Sequence, residues 1–253
     1  MTQKKTVNLL IGIVTILAVS FFIFIVQPIL DEKEREEGQG VYGQDDEQAL
    51  WFDTQDQEQS APKLEENLTK RNFYIILDGS GSMQDDNKMA IAKKALIEFV
   101  AHVPQSANLG LAVFDGSGLS ERVPLGGDRY DFSNQVQKTK AAGNTPLKEA
   151  LELAYAKLIK QAQQQIGYGE YNIVVVTDGE ASPGHEPDRI VNLILDHSPV
   201  IIHTIGFQIG EDHSLNQPGK IYYKSAKNLD ELSQGLEEVL AESESFVITD
   251  FNE

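Results

Sequence analysis

The sequence predicts a doubly wound α/β domain, with a mainly parallel sheet flanked by helices, preceded by an N-terminal transmembrane helix. Three observations predict it. From Arg71 onward, short apolar runs alternate with amphipathic stretches at βαβ spacing. The run Tyr171–Thr177 (YNIVVVT) is nearly all apolar and β-branched, as expected of a central parallel strand covered on both faces. The run Val7–Val26 is an almost unbroken hydrophobe. At about 1.5 Å per residue it spans roughly 30 Å, the thickness of a bilayer core.

The elements follow in order. Residues 7–30 are expected to form the anchor rather than a cleaved signal, because the apolar run is long and no small-x-small pattern follows it. Lys4 and Lys5 precede it, which puts residues 1–6 in the cytoplasm and the bulk of the chain outside. Residues 31–70 carry thirteen Asp/Glu against four Lys/Arg, and read as an acidic, disordered tether. Within it, Leu50-Trp51-Phe52 holds the only Trp of the chain. That patch either packs on the domain or on lipid headgroups, or docks a partner. The domain is expected over 71–241 and a tail over 242–253.

Inside the domain, Asn72–Leu77 is a buried-strand candidate. Lys88–Val103 places Met89, Ile91, Ala92, Ala95, Leu96, Phe99 and Val100 at helical spacing, and Pro104 stops it. Leu109–Phe114 reads as a strand, Asp115-Gly116 as a turn and Glu121–Leu125 as a hairpin partner. Helices are expected over Tyr130–Ala142, Pro146–Gln165, Asp188–Asp196 and Leu229–Ala241. Strands are expected over Tyr171–Thr177, Val200–Gly206 and, at an edge, Ile221–Lys224.

Composition narrows the function. With 253 residues, 21 Lys+Arg and 39 Asp+Glu, the chain carries a net charge of -18, a field that repels nucleic acid. No Cys means no disulfide, thiolate metal site or thiol nucleophile. No GxxxxGK[ST] or GxSxG string occurs, which argues against a P-loop or a serine-hydrolase elbow.

Ligands of such sheets bind at the carboxyl ends of the strands. Three oxygen-rich clusters stand at such ends or between helices: Asp78-Gly79-Ser80-Gly81-Ser82, Gly143-Asn144-Thr145-Pro146-Leu147 and Thr177-Asp178-Gly179-Glu180. They contain no imidazole or thiolate. Hard oxygen donors of this kind suit Mg2+ or Mn2+, or Ca2+ in a looser cage. Helix capping is the alternative role for Asp78, Asp178 and Thr145.

Asp78-x-Ser80-x-Ser82 after a strand, Thr145 in a GNTPL loop and Asp178 in VVVTDGE resemble the metal-ion-dependent adhesion site of a von Willebrand factor type A domain, of the bacterial membrane-anchored type. The resemblance covers roughly residues 71–241. It implies that Asp78, Ser80, Ser82, Thr145 and Asp178 hold a divalent cation, Mg2+ first among the candidates. The two serines would ligate through hydroxyls, Thr145 directly or through water, and the two aspartates mainly through water in one state and more directly in another. It further implies a non-catalytic module that captures a carboxylate of a protein partner, with a last helix (Leu229–Ala241) that shifts on ligation. The competing readings are a phosphatase-like hydrolase, and a structural metal with partner binding through the tether. A haloacid-dehalogenase-type phosphatase would need a second Asp where Ser80 stands. Other polar residues have plainer expected roles. His203 packs in its strand, His185 and His213 are solvated, Glu180 faces water, and Asp85, Asp86 and Asn87 cap the first helix. Tyr168 is a loop residue without an assigned role.

Overall fold

The computed structural model describes residues 69–209 and 213–244. The expected anchor over 7–30, nearly all of the 31–70 tether with Trp51, and the tail beyond 244 lie outside the described residues. Among the described residues, no helix is long and apolar enough to cross a membrane.

The chain forms β1 (Arg71–Asp78), a 3-10 segment (Gly81–Asn87), α1 (Lys88–His102), β2 (Asn108–Asp115) and β3 (Gly118–Val123). Then come α2 (Arg129–Lys138), α3 (Leu147–Gln164), β4 (Glu170–Thr177) and α4 (Asp188–His197). β5 (Ile201–Phe207), β6 (Tyr222–Ala226) and α5 (Leu229–Glu244) complete it. The strands make one sheet in the order β3-β2-β1-β4-β5-β6, parallel throughout except for the β2–β3 pair. The chain runs outward from β1 to β3, crosses back to β4 beside β1, and runs outward again to β6. The switch point of the sheet is therefore the crevice between β1 and β4, where doubly wound sheets collect their ligands.

β1 and β4 are buried at every residue after the first, as their unbroken apolar runs require. On one face, Phe73, Ile75 and Leu77 join Leu96 and Phe99 of α1, Phe132 of α2 and Leu236 of α5 in a single core. The Phe73 and Phe99 rings meet edge to face at 6.3 Å. Strand alternation turns Tyr74 and Ile76 to the opposite face, where α3 buries Leu151, Ala154 and Leu158 and α4 buries Ile190, Val191 and Ile194. Each fully buried Leu, Ile or Phe contributes about 1.5–3 kcal/mol. These two layers fix the strand ends that carry the polar clusters.

Three local expectations are corrected. The hairpin strand is Gly118–Val123 rather than Glu121–Leu125, because Asp115 pairs directly with Gly118 around a two-residue turn and Pro124 has no N–H to continue the ladder. α2 ends at Lys138 rather than Ala142. The following residues leave the helix so that the Ala142 N–H can donate to the Gly79 carbonyl at 2.7 Å. Asn87 does occupy the N-cap position of α1, but in left-handed conformation and with no side-chain capping bond. Nor does Thr145 cap α3, whose N-cap position is Pro146.

Candidate metal centre at the β1–β4 switch point

Asp78 ends β1 and Asp178 directly follows β4, so the two carboxylates stand on either side of the switch crevice. Asp78 Oδ1 accepts the Ser80 N–H at 2.7 Å and Oδ2 accepts the Thr177 hydroxyl at 2.6 Å. The Ser80 and Ser82 hydroxyls lie 3.1 Å apart. Ser82 Oγ donates to Asp178 Oδ1 at 2.7 Å, and Lys88 Nζ donates to Asp178 Oδ2 at 2.7 Å. Four of the five expected residues thus belong to one hydrogen-bonded network, in which Asp78 joins through the Ser80 amide and the other links are between side-chain oxygens. Asp78, Ser80 and Asp178 are buried, while Ser82 is exposed at the mouth.

The backbone explains why this sequence builds that cluster. The Gly79 N–H donates to Phe114 O at 2.8 Å, and a Cβ on Gly79 would sit 2.8 Å from the same oxygen. Only glycine lets the loop press onto the end of β2 in this way. The Gly81 N–H donates to Gly143 O at 3.1 Å, and Gly143 takes a φ of +91°. The loop that carries Thr145 is thereby sewn to the serine loop. On its other side, Thr145 exchanges bonds with Ser182, its N–H donating to Ser182 Oγ and its carbonyl accepting the Ser182 N–H, both at 3.0 Å. Thr145 is buried, and the bonds that hold it run to Ser182 rather than to the two aspartates or the serine pair.

Burial dominates the electrostatics of Asp78. It pushes the carboxyl up to about 6, against the hydrogen bonds from Ser80 and Thr177 that pull it down, and the neighbouring Asp178 adds to the rise. A carboxylate held charged at neutral pH in such a place favours a nearby cation. Lys88 already supplies one positive charge on the Asp178 side. Two carboxylates and two hydroxyls converge here, with no nitrogen or sulfur donor among them, so the donor set fits a hard divalent ion. Among the described residues, no group of three or more His, Cys, Asp or Glu comes together, here or elsewhere, so any ion at this centre would depend on the serine hydroxyls.

The histidines divide. His203 is buried as expected, with Nε2 3.2 Å from Asn172 Oδ1 and its ring stacked on Tyr222 at 5.2 Å; burial pushes it down to about 4. His185 is half-buried, with Nδ1 2.8 Å from Glu149 Oε2. His213 corrects the expectation of a solvated side chain. It is buried, and its Nδ1 accepts the Leu215 N–H at 2.9 Å. That acceptor role leaves the proton on Nε2, which donates to Gly179 O at 2.9 Å. His213 therefore fastens the loop before β6 to the loop that carries Asp178, while the exposed Glu180 accepts the Ser214 N–H at 3.0 Å. Thr177 and Lys88 were not among the expected site residues. Thr177 adjoins Asp178 within the third cluster, and a lysine opening a helix, against the helix dipole, is itself an unusual placement.

Comparison with known proteins agrees with this fold. Residues 73–180 match the family described as von Willebrand factor type A domain. The uncharacterized protein YwmD of Bacillus subtilis (strain 168) is 29% identical over 198 residues, covering 68% of this chain and 86% of that protein. Among solved structures, proximal thread matrix protein 1 of the mussel byssus, with a zinc-occupied MIDAS motif, superposes with a TM-score of 0.55 at 18% identity. That match covers 69% of this chain and 46% of the mussel chain, so this chain spans less than half of it. An aerotolerance-related membrane protein from Bacteroides fragilis NCTC 9343 gives a TM-score of 0.50 at 17% identity, over 67% of this chain and 98% of that one. Identities this low speak to the fold.

Proposed function

We propose that this chain, whose residues 73–180 match the von Willebrand factor type A domain family, is a membrane-anchored module that binds a divalent cation and captures an acidic group of a protein partner through it. Asp78, Ser80, Ser82, Thr145 and Asp178 would hold the ion, with Mg2+ the first candidate and Mn2+ or Ca2+ as alternatives. Residues 7–30 would anchor the chain once in the plasma membrane, with the 71–241 domain on the outer side, periplasmic or extracellular. The reading is non-enzymatic.

One observation carries it: two aspartates a hundred positions apart meet the same serine loop at the switch point of the sheet, Asp78 through the Ser80 amide and Asp178 through the Ser82 hydroxyl, each at 2.7 Å, with the two serine hydroxyls 3.1 Å apart between them. A bound divalent ion would supply a hard positive centre for a carboxylate oxygen. The chain's own residues do the rest. Buried Asp78, oriented by Thr177 and the Ser80 amide, keeps a negative charge deep in the crevice. Ser82, exposed at the mouth, stands where a partner's group would enter. Beside it, a groove of about 710 Å³ is lined in part by Met83, Met89, Ile97, Lys93, Lys94 and Lys140. Its three lysines stand against one carboxylate, Glu98, 3.9 Å from Lys94, and this excess of positive charge in an otherwise acidic chain supports an acidic protein surface as partner.

Calorimetry with Mn2+ on the full chain tests the metal step. Uptake of one ion that is lost in Ser80→Ala and Asp78→Ala, with unchanged circular dichroism, is the expected result. A chain that releases no heat with Mn2+ or Mg2+ would overturn the reading.

A further inference from the structure

Lys88 opens α1, where the positive end of the helix dipole disfavours a cation, and no acidic residue stands in that first turn to offset it. The two preceding residues, Asp86 and Asn87, both take left-handed backbone, with φ of 47° and 60°, which non-glycine residues avoid. The product of these two unfavourable local choices is one ammonium fixed 2.7 Å from Asp178 Oδ2, in a side chain only 13% exposed against a wholly buried carboxylate. No stretch of the fold requires a lysine there. α1 is held instead by Met89, Ala92, Leu96 and Phe99 on its buried face.

We infer that Lys88 is a resident counter-charge that tunes the metal centre toward anion capture. This rests on the metal reading above. Asp78 and Asp178 bring two negative charges, and Lys88 cancels one of them. A divalent ion seated in the cluster then retains one net positive charge, whereas without Lys88 the two carboxylates would neutralise it. The ammonium also engages Asp178 Oδ2, while Oδ1 accepts the Ser82 hydroxyl on the side of the serine loop.

Two effects of opposite sign follow from Coulomb's law in a poorly screened site. Lys88 weakens cation binding by repulsion, and it strengthens binding of a carboxylate to the loaded centre. A lysine that merely braced the start of α1 would change stability without moving these two affinities in opposite directions.

The test uses the full chain in a neutral detergent, as wild type, Lys88→Met and Lys88→Arg. Mn2+ affinity is read from the electron paramagnetic resonance of free Mn2+. Acetate is then titrated into the loaded protein, and its displacement of Mn2+-bound water is followed by proton relaxation. In K88M, Mn2+ should bind on the order of tenfold tighter while the acetate needed rises by a similar factor. K88R, which keeps the charge, should follow wild type in both. If K88M loses its circular dichroism, Lys88→Gln carries the same comparison. Affinities that stay put, or that move in the same direction, overturn the inference while leaving the metal reading intact. A wild-type chain that takes up no Mn2+ overturns the metal reading, and this inference with it.

Discussion

The β1–β4 crevice and the β5–β6 edge both bury ionisable side chains, and Asp78 and His203, each within a strand of the same sheet, resolve the cost in opposite ways. His203, in β5, is pushed down to about 4 and is neutral at physiological pH. Its ring stacks on Tyr222 and meets Asn172, so the uncharged form is satisfied. Asp78 is pushed up only to about 6, because the Ser80 amide and the Thr177 hydroxyl support its charged form. At pH 7 it remains ionised in a wholly buried place. The difference separates a structural burial from a functional one: the first removes the charge, and the second keeps it and leaves a demand for a cation.

The sharpest way to break the comparison is to remove each group. Asp78→Ala should weaken Mn2+ binding by about a hundredfold or more, in the range lost with a buried charged ligand. His203→Gln should leave it unchanged; calorimetry separates the two. Equal losses from both would erase the distinction between the regions.

Next in size is the response to pH without metal. Asp78 is raised from 3.8 to about 6, so its contribution to stability is present below 3.8 and is lost as pH rises through about 6. His203 is lowered from 6.5 to about 4, so its contribution is present above 6.5 and is lost as pH falls through about 4. Each limb amounts to at most about 3 kcal/mol. In the wild type they offset each other. Urea titrations should show the stability of Asp78→Asn rising from pH 4 to 6.5, and that of His203→Gln falling over pH 4 to 6. Parallel curves would contradict the opposed assignments.

Gly79→Ala should cost about 1–3 kcal/mol and weaken Mn2+ binding as well, since the new methyl group meets a backbone oxygen that cannot swing away. The smallest effect belongs to the other edge. Tyr222→Ala removes an exposed ring stacked on His203, and should cost about 0.5–1 kcal/mol in thermal or urea melts with no change in metal affinity.

Much of this was legible in the amino-acid sequence. The apolar runs of β1 and β4 announced strands covered on both faces, and the oxygen-rich residues that directly follow them marked the switch crevice. Hydrophobic periodicity located every described helix, because each buries one face on the sheet. What escaped were features made by contacts between distant segments. α2 stops early because Ala142 is recruited by Gly79, and no local signal records that bond. His213 sits among glycine, proline and polar residues that suggest exposure, yet Gly179 O and the Tyr223 ring, 5.9 Å from its own, enclose it. Lys88 acquires its partner only when Asp178, 90 positions further along, comes to lie beside it.

The bond between Thr177 and Asp78 joins positions 99 apart along the chain, and it carries a consequence for biogenesis. A nascent polypeptide halted before residue 177 possesses both serines but lacks the opposite wall, so it has nothing with which to grip an ion. Cation uptake at this centre would therefore wait until β4 has docked beside β1, after every site residue has been made.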